Sequence, residues 1–411
     1  MHEDAALQID EIPAARRQLR VAFVTETYSP EVNGVATTTE QFVEGLHRRG
    51  HDVQLIRPRQ DRTDAADAAP RFHEVLMRGL PIPKYPHLRM GVPSKRALVK
   101  LWSLRRPDVV HVATEGPLGW SALQAGRHLR IPVTSDFRTN FHAYSKHYGI
   151  GWLDRPIMAY LRKFHNQCAC TLVPTEVLRR DLEAAAFQRL RVVPRGVDTT
   201  RFAPAHRSDA LRAAWGAGPG DLVMGCVGRL AAEKNLGLLV AAWRAVVARH
   251  PRTRLVFVGD GPLRAELQAA CPDAVFTGTR KGPDLAAHYA SMDLFVFPSL
   301  TETFGNVTVE ALASGLAVVA FDHAAAGQLI RHGHNGLLAA CGDGDGFVAA
   351  AQALADDAAL RTAVAAQGLL TAAGLGWDAV VARFEQQLMQ AGVTPAREPA
   401  DHATPAARPT Y

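Results

Sequence analysis

The chain has 411 residues, 47% of them apolar and 21% charged, with a formal net charge of +6. That length suits two domains that each bury a core, and no apolar run approaches the roughly 18 residues of a membrane-spanning helix. The acidic opening, Met1 to Arg17, lacks the basic-then-apolar order of a secretion signal, and Cys168, Cys170, Cys226, Cys271 and Cys341 fit neither a zinc site nor a disulfide framework, so a reducing cytoplasm is the expected home.

The first element is the apolar run LRVAFVTE from Leu19, of strand length, followed by the turn-rich TYSPEVNGV and by ATTTEQFVEGLHRRG. The last piece carries a helical stripe of Phe42, Val43 and Leu46 and stops at Gly50. HDVQLIRP supplies the next strand, which completes a βαβ unit. Residues 59–71 read as a polar surface loop. Residues 93–107, PSKRALVKLWSLRRP, read as a helix with Leu98, Leu101 and Trp102 on one side and Lys95, Arg96, Lys100, Arg105 and Arg106 around the rest. PDVVHVAT, PVTSDF and CTLVPT read as further strands of the same sheet.

VVPRGVDTTRFAP looks like a linker, after which the alternation starts afresh. LVMGCVGRL, RLVFVGDG, AVFTG, DLFVFPS and LAVVAF read as strands, separated by helices at NLGLLVAAWRAVVARH, PLRAELQAAC, PDLAAHYASM and NVTVEALASG. The sequence therefore predicts an α/β protein of two doubly wound, Rossmann-like domains facing across a cleft, at 1–195 and 196–375. A helix at 376–391 and a disordered Ala/Pro-rich tail at 392–411 complete the division. Residues 1–195 carry 29 Lys and Arg against 20 Asp and Glu, a balance of +9, and residues 196–411 carry 17 against 20, a balance of −3. The basic first half points to an anionic partner, and with no nucleic-acid motif beside it that partner is not expected to be nucleic acid.

Ligands of such folds bind at the carboxyl ends of the strands. There SLTETFGNVTVEALASG, Ser299 to Gly315, opens a helix near Phe304 to Asn306, with Thr303 as the expected N-cap. Its free amides favour an anion. Glu302 and Glu310 stand eight positions apart, close to two turns, and can face one ligand with two polyol parts, such as a sugar and a ribose. The alternative is that Glu302 caps the helix and Glu310 faces solvent. After the first strand of the second half, Gly228 permits a tight turn, and Arg229 and Lys234 offer a fork and a point charge suited to a diphosphate without a metal. A solvated basic loop is the plainer reading of that pair. Asn33-Gly34 opens the first helix and resembles a phosphate-cradling turn, though it lacks GxGxxG. Gly259 and Gly261 read as a turn with no ligand. Arg138, His142, Tyr144, Lys146 and His147 gather after one strand and are open to either a structural or a functional reading. Asp343 and Asp345 read as a turn and helix cap rather than a metal pair.

Taken together these motifs resemble one family, the retaining GT-B glycosyltransferases of family 4, group 1, over roughly Leu19 to Met389. TETFGNVTVEALASG matches that family's Glu-x7-Glu motif. GRLAAEKN, VGDGPLRAEL, FTGTRKGPDLAAHYASMDLFVFPS, NGV and PRGVDTTRF follow its order. Within it the chain is similar to GDP-mannose-dependent lipid mannosyltransferases and sulfoquinovosyl-diacylglycerol synthases. The resemblance implies a nucleotide-diphosphate sugar donor, GDP-mannose favoured over a UDP-sugar, a lipid or glycan hydroxyl acceptor, and neither cofactor nor metal. It implies that Arg229 and Lys234 hold the diphosphate, that Glu302 bonds the sugar hydroxyls and Glu310 the ribose, and that the Phe304, Gly305 and Asn306 amides support the donor. Gly34 then lies near the phosphates from the other domain, and Arg280 flanks the base. Where many members carry a His-Thr pair beside the reacting sugar, this chain has Arg138-Thr139, with His142 four residues on. Either His142 shares that role or Arg138 serves a different acceptor. The expected location is the cytoplasm, with the basic helix 93–107 offering a contact to anionic lipid or, alternatively, packing on the core. A sugar-nucleotide 2-epimerase and an inactive nucleotide-sugar binder are the rival readings.

Overall fold

The computed structural model describes residues 18–28, 34–60, 64, 72–82, 85–138, 154–302 and 304–393. Nine strands precede residue 195: β1 Arg20–Val24, β2 Asp52–Pro58, β3 His73–Met77, β4 Gly79–Ile82, β5 Tyr85–Gly91, β6 Val109–Val112, β7 Val133–Asp136, β8 Cys170–Val173 and β9 Leu190–Val192. Seven form a parallel sheet ordered β3-β2-β1-β6-β7-β8-β9, and β4 and β5 form a separate antiparallel hairpin. The second half supplies β10 Val223–Val227, β11 Arg254–Val258, β12 Val275–Gly278, β13 Leu294–Phe297, β14 Ala317–Phe321 and β15 Leu337–Ala339, ordered β12-β11-β10-β13-β14-β15 and parallel throughout. Both are doubly wound, and each strand order reverses beside its first strand, between β1 and β6 and between β10 and β13.

The central strands are short apolar runs because both their faces are covered by helices. VAFV, VVHV, VMGCV, LFVF and AVVAF are buried along their whole length. The turns after β10 and β11 interlock. Gly228 N donates to Val258 O and Leu230 N to Asp260 O, each at 2.9 Å. A Cβ on Gly259 would lie 1.9 Å from Gly228 O, and its φ is +142°. Glycine is therefore required at 259 by its backbone neighbour, which accords with the reading of Gly259 and Gly261 as a structural turn. Asp343 caps the helix Gly344–Asp356 by accepting from Gly346 N at 2.9 Å, as the turn-and-cap reading expects.

The basic helix runs from Lys95 to Leu104, and Leu98 and Trp102 are fully buried. Trp102 Nε1 donates to Gln54 Oε1 at 3.1 Å. Its apolar side is thus part of the core and is not a lipid-facing surface. Lys95, Arg96, Lys100, Arg105 and Arg106 face outward with Leu104. No helix among the described residues is long and apolar enough to cross a membrane.

The last helix, Trp377–Val393, returns to the first domain, where Phe384 stacks on Phe42 with ring centroids 4.1 Å apart. Glu385 receives Arg49 Nε at 2.6 Å and pairs with His51 Nε2 at 2.8 Å. It continues to Val393, two residues into the stretch read from sequence as a disordered tail; residues 394–411 lie outside the described residues. The chain thus crosses between domains twice at one place. Val197 N donates to Leu375 O at 3.0 Å, and a Cβ on Gly196 would meet the Trp377 ring at 2.5 Å. If the last helix is structurally part of the first domain, Phe384→Ala lowers stability by about 3–5 kcal/mol. Denaturant unfolding checks this, with the loss expected in the transition of the first domain.

Candidate functional site

The chemistry-bearing side chains sit where the loops after β10 and β13 part. Lys234 closes a one-turn 3₁₀ helix, Ala232–Lys234, and its ammonium binds the Glu302 carboxylate. Glu302 Oε1 also accepts from Ser299 Oγ at 2.8 Å, and Lys234 Nζ lies 5.4 Å from the centre of the Phe297 ring. Leu300 N donates to Glu233 O at 3.3 Å, a backbone tie between the same loops. Arg229, one residue past Gly228, pairs with Glu233 through Nε at 3.2 Å and Nη2 at 2.5 Å. Both cations predicted to meet a diphosphate are thus preset by carboxylates, one of which is Glu302 itself.

The helix after Glu302 spans Asn306–Ala313, and its N-cap is Gly305, at φ +93°, with no side-chain capping bond. The expectation that Thr303 caps this helix is therefore corrected: the left-handed turn starts it two residues later. Thr303 itself lies outside the described residues. With no side-chain cap from Gly305, the first amides of a helix are available to a ligand acceptor. Phe304 is buried, and Asn306 Oδ1 is buried with no partner among the described residues. Glu302, Ser299, Phe304, Gly305 and Thr308 line a small recess with His323 and Ala324, the latter at φ +52°.

Glu310, on the second turn, accepts from Tyr289 Oη at 2.8 Å. Burial pushes its carboxyl above the usual range, and the Tyr289 bond opposes that shift. It is neither solvent-facing nor in contact with the Lys234–Glu302 pair, so the two glutamates occupy separate stations. Arg280 folds back at the sheet edge, donating to Thr277 O at 2.7 Å and pairing with Asp284 at 3.3 Å.

On the first domain, Gly34 is the first residue of the helix Gly34–Arg48. Arg138 is 2% exposed and donates through Nε to Asp136 Oδ2 at 2.8 Å. Burial alone would raise Asp136, but Arg138 and His111 hold it down at about 2. Arg138 is therefore an interior ion-pair partner, and its Nη1 is buried with no hydrogen-bond partner among the described residues. His142 lies outside the described residues, as do Tyr144, Lys146 and His147. Glu26, past the end of β1, accepts from Leu118 N at 2.9 Å at the start of the helix Pro117–His128. Desolvation raises its carboxyl to about 7, against the backbone bonds it accepts.

Sequence reading missed Ser299, Glu233, Tyr289 and Arg195. Ser299 and Glu233 stood inside the quoted motifs, and their role is visible only once the loops after β10 and β13 are adjacent. Arg195 stood in the stretch taken as a linker. A Cβ on Gly34 would lie 2.5 Å from its Nη1.

Two family models match the chain: Glycosyltransferase Family 4 over residues 32–201 and Glycosyl transferases group 1 over residues 221–357. The GDP-mannose-dependent alpha-mannosyltransferase of Mycobacterium tuberculosis (strain CDC 1551 / Oshkosh) is 40% identical over 329 residues, 79% of this chain and 85% of that protein. Sulfoquinovosyl transferase SQD2 of Arabidopsis thaliana is 28% identical over 380 residues, 90% of this chain and 73% of that one. The structure of sucrose-phosphate synthase from Thermosynechococcus elongatus superposes with a TM-score of 0.69 at 19% identity, covering 91% of this chain and 99% of that one, a likeness of fold.

Two titrations follow from the geometry. Tyr289→Phe removes the bond that favours the Glu310 carboxylate, so the Glu310 midpoint moves up; carboxyl carbon NMR reads it, and a fall contradicts the pairing. Glu26, raised from 4.5 to about 7, binds its proton more tightly folded than unfolded. Stability therefore falls as pH rises across that window. Glu26→Gln flattens the slope in denaturant titrations at pH 4.5 to 7.

Proposed function

This chain belongs to family 4 of the group 1 glycosyltransferases and is a glycosyltransferase of GT-B fold, and from that premise we propose that it transfers mannose from GDP-mannose to a hydroxyl of a lipid or glycan acceptor with retention at the anomeric carbon. The observation that carries the reading is the Lys234–Glu302–Ser299 cluster at the reversal of strand order, where an open-sheet fold places its ligand. GDP-mannose is favoured because a relative at 40% identity bears that donor in its name, and a lipid acceptor because SQD2-like and glucosyldiacylglycerol synthase relatives recur.

In this mechanism Arg229 and Lys234 face the donor diphosphate, with the uncapped amides of Phe304, Gly305 and Asn306 beside it. Gly228 lets the Arg229 turn approach, Gly34 faces the phosphates from the first domain, and Arg280 flanks the base. Glu302 accepts from hydroxyls of the sugar, and Glu310, held by Tyr289, accepts from the ribose. As the bond between the anomeric carbon and the diphosphate oxygen breaks, charge grows on the departing diphosphate, and the two cations and the helix amides stabilise it. The acceptor hydroxyl attacks from the face the leaving group vacates and gives its proton to a diphosphate oxygen. No protein base, cofactor or metal is called on. Arg138 supports this site from the interior, and His142 shares the acceptor side. The cytoplasm, or the inner membrane face through the outward Lys and Arg of the helix Lys95–Leu104, suits a lipid acceptor.

Glu302→Ala is expected to lower transfer roughly a hundredfold or more with the thermal transition retained. Product anomer assignment by NMR together with turnover checks this; unchanged turnover removes Glu302 from the site. Incubating the donor alone must yield no epimer, and a thermal-shift screen of GDP, UDP and their sugars should show the largest shifts with the guanine series.

A further inference from the structure

Arg195 carries a guanidinium whose Nε the interior of the protein leaves without a hydrogen bond among the described residues. Its side chain is only 9% exposed. The neighbouring carboxylate, Asp136, bonds Arg138 through Oδ2 at 2.8 Å, and its Oδ1 is buried with no hydrogen-bond partner among the described residues, so Arg195 is not bonded to it. Burial and then the adjacent Arg138 push Arg195 down to about 10, while Asp136 and Glu302 act in the opposite sense, so it remains a cation at neutral pH. A buried guanidinium beside a second one is costly unless an anion answers it.

The surroundings say which anion. Nη1 stands 2.5 Å from where a Cβ on Gly34 would sit. Gly34 begins a 15-residue helix, so a second source of positive potential, the helix N-terminus, meets the guanidinium there. Glu302, on the other domain, is among the charges that act on Arg195. Position 34 is a glycine because Arg195 passes over it; its own backbone does not require positive φ.

Resting on the donor site described above, we propose that Arg195 is a further diphosphate ligand, contributed by the first domain: with the Gly34 helix start it binds the face of the nucleoside diphosphate turned away from Arg229 and Lys234. The Arg195 fork supplies two parallel N–H donors to phosphate oxygens. It thereby makes diphosphate binding depend on both domains at once.

The test is isothermal titration of the full chain with GDP and UDP, and with GMP and UMP as monophosphate controls. Arg195→Gln is expected to weaken the diphosphates by roughly tenfold to a hundredfold and the monophosphates much less. Gly34→Ala pushes Arg195 aside and weakens the diphosphates, yet costs little more when added to Arg195→Ala, because the methyl then fills vacated space. Should Arg195→Gln not fold, Arg195→Lys decides: it keeps the charge without the fork, so weakened diphosphate binding supports the proposal and wild-type affinity overturns it. Wild-type diphosphate affinity in Arg195→Gln while Lys234→Ala loses it also overturns the proposal but leaves the donor site standing. Loss in neither variant overturns the donor site as well.

Discussion

The ion pair between Lys234 and Glu302 bridges the one place where the second sheet cannot close on itself. β10 and β13 are neighbours, but the helices that follow them leave toward opposite faces, so their loops diverge and open a crevice. The pair, the Ser299 hydroxyl and the Leu300–Glu233 backbone bond pin the two loops across that opening. Its side chains are 18% and 17% exposed, neither deep enough for desolvation to dominate nor open enough for water to screen them fully. A carboxylate and an ammonium held this way are ordered in advance, yet each keeps capacity for a ligand, since an ammonium has three donors and a carboxylate about four acceptor sites.

The first domain solves a different problem. Its sheet carries His111, Asp136 and Arg138 at the ends of β6 and β7, beneath Phe42 and Phe384. Asp136 stays ionised because Arg138 and His111 outweigh its burial. The lid on this polar interior is the chain's last helix, whose Phe384 completes the aromatic layer. The two crossings, at 195–197 and 375–377, are bonded to each other. Any change in the angle between domains must therefore bend both crossings together, and Arg195 sits at the start of one of them.

What could be read from sequence follows from what decides each feature locally. The central strands are short apolar runs bounded by turns, and all ten strands expected from such runs are present. β3, HEVLM, is an edge strand of mixed character, β4 and β5 contain prolines, and β9 has three residues, so none offered a clear period. Arg229, Lys234, Glu302 and Glu310 were legible as a set because strand ends collect ligand groups. Their pairing was not: Lys234 and Glu302 are 68 positions apart, and only the parallel order of β10 and β13 joins them. The Thr303 cap failed for a local reason. A side-chain cap and a left-handed glycine compete to start a helix, and here Gly305 at φ +93° takes the N-cap position.

Arg138, which follows β7, is open in the sequence to a structural or a functional reading, and its partner could not be named there. Asp136, the last residue of the same strand, turns it inward. There its Nη2 donates to the Val193 carbonyl at 3.2 Å, two residues before Arg195. Arg138 therefore does two things. It fixes the backbone leading into Arg195, and it takes up Oδ2 of the Asp136 carboxylate. The like charge of Arg138 acts on Arg195 from the interior, and the Arg195 guanidinium stands over Gly34. The chemistry at the end of β7 thus reaches the crevice through a neighbour's charge rather than through the side chain that the sequence put on view.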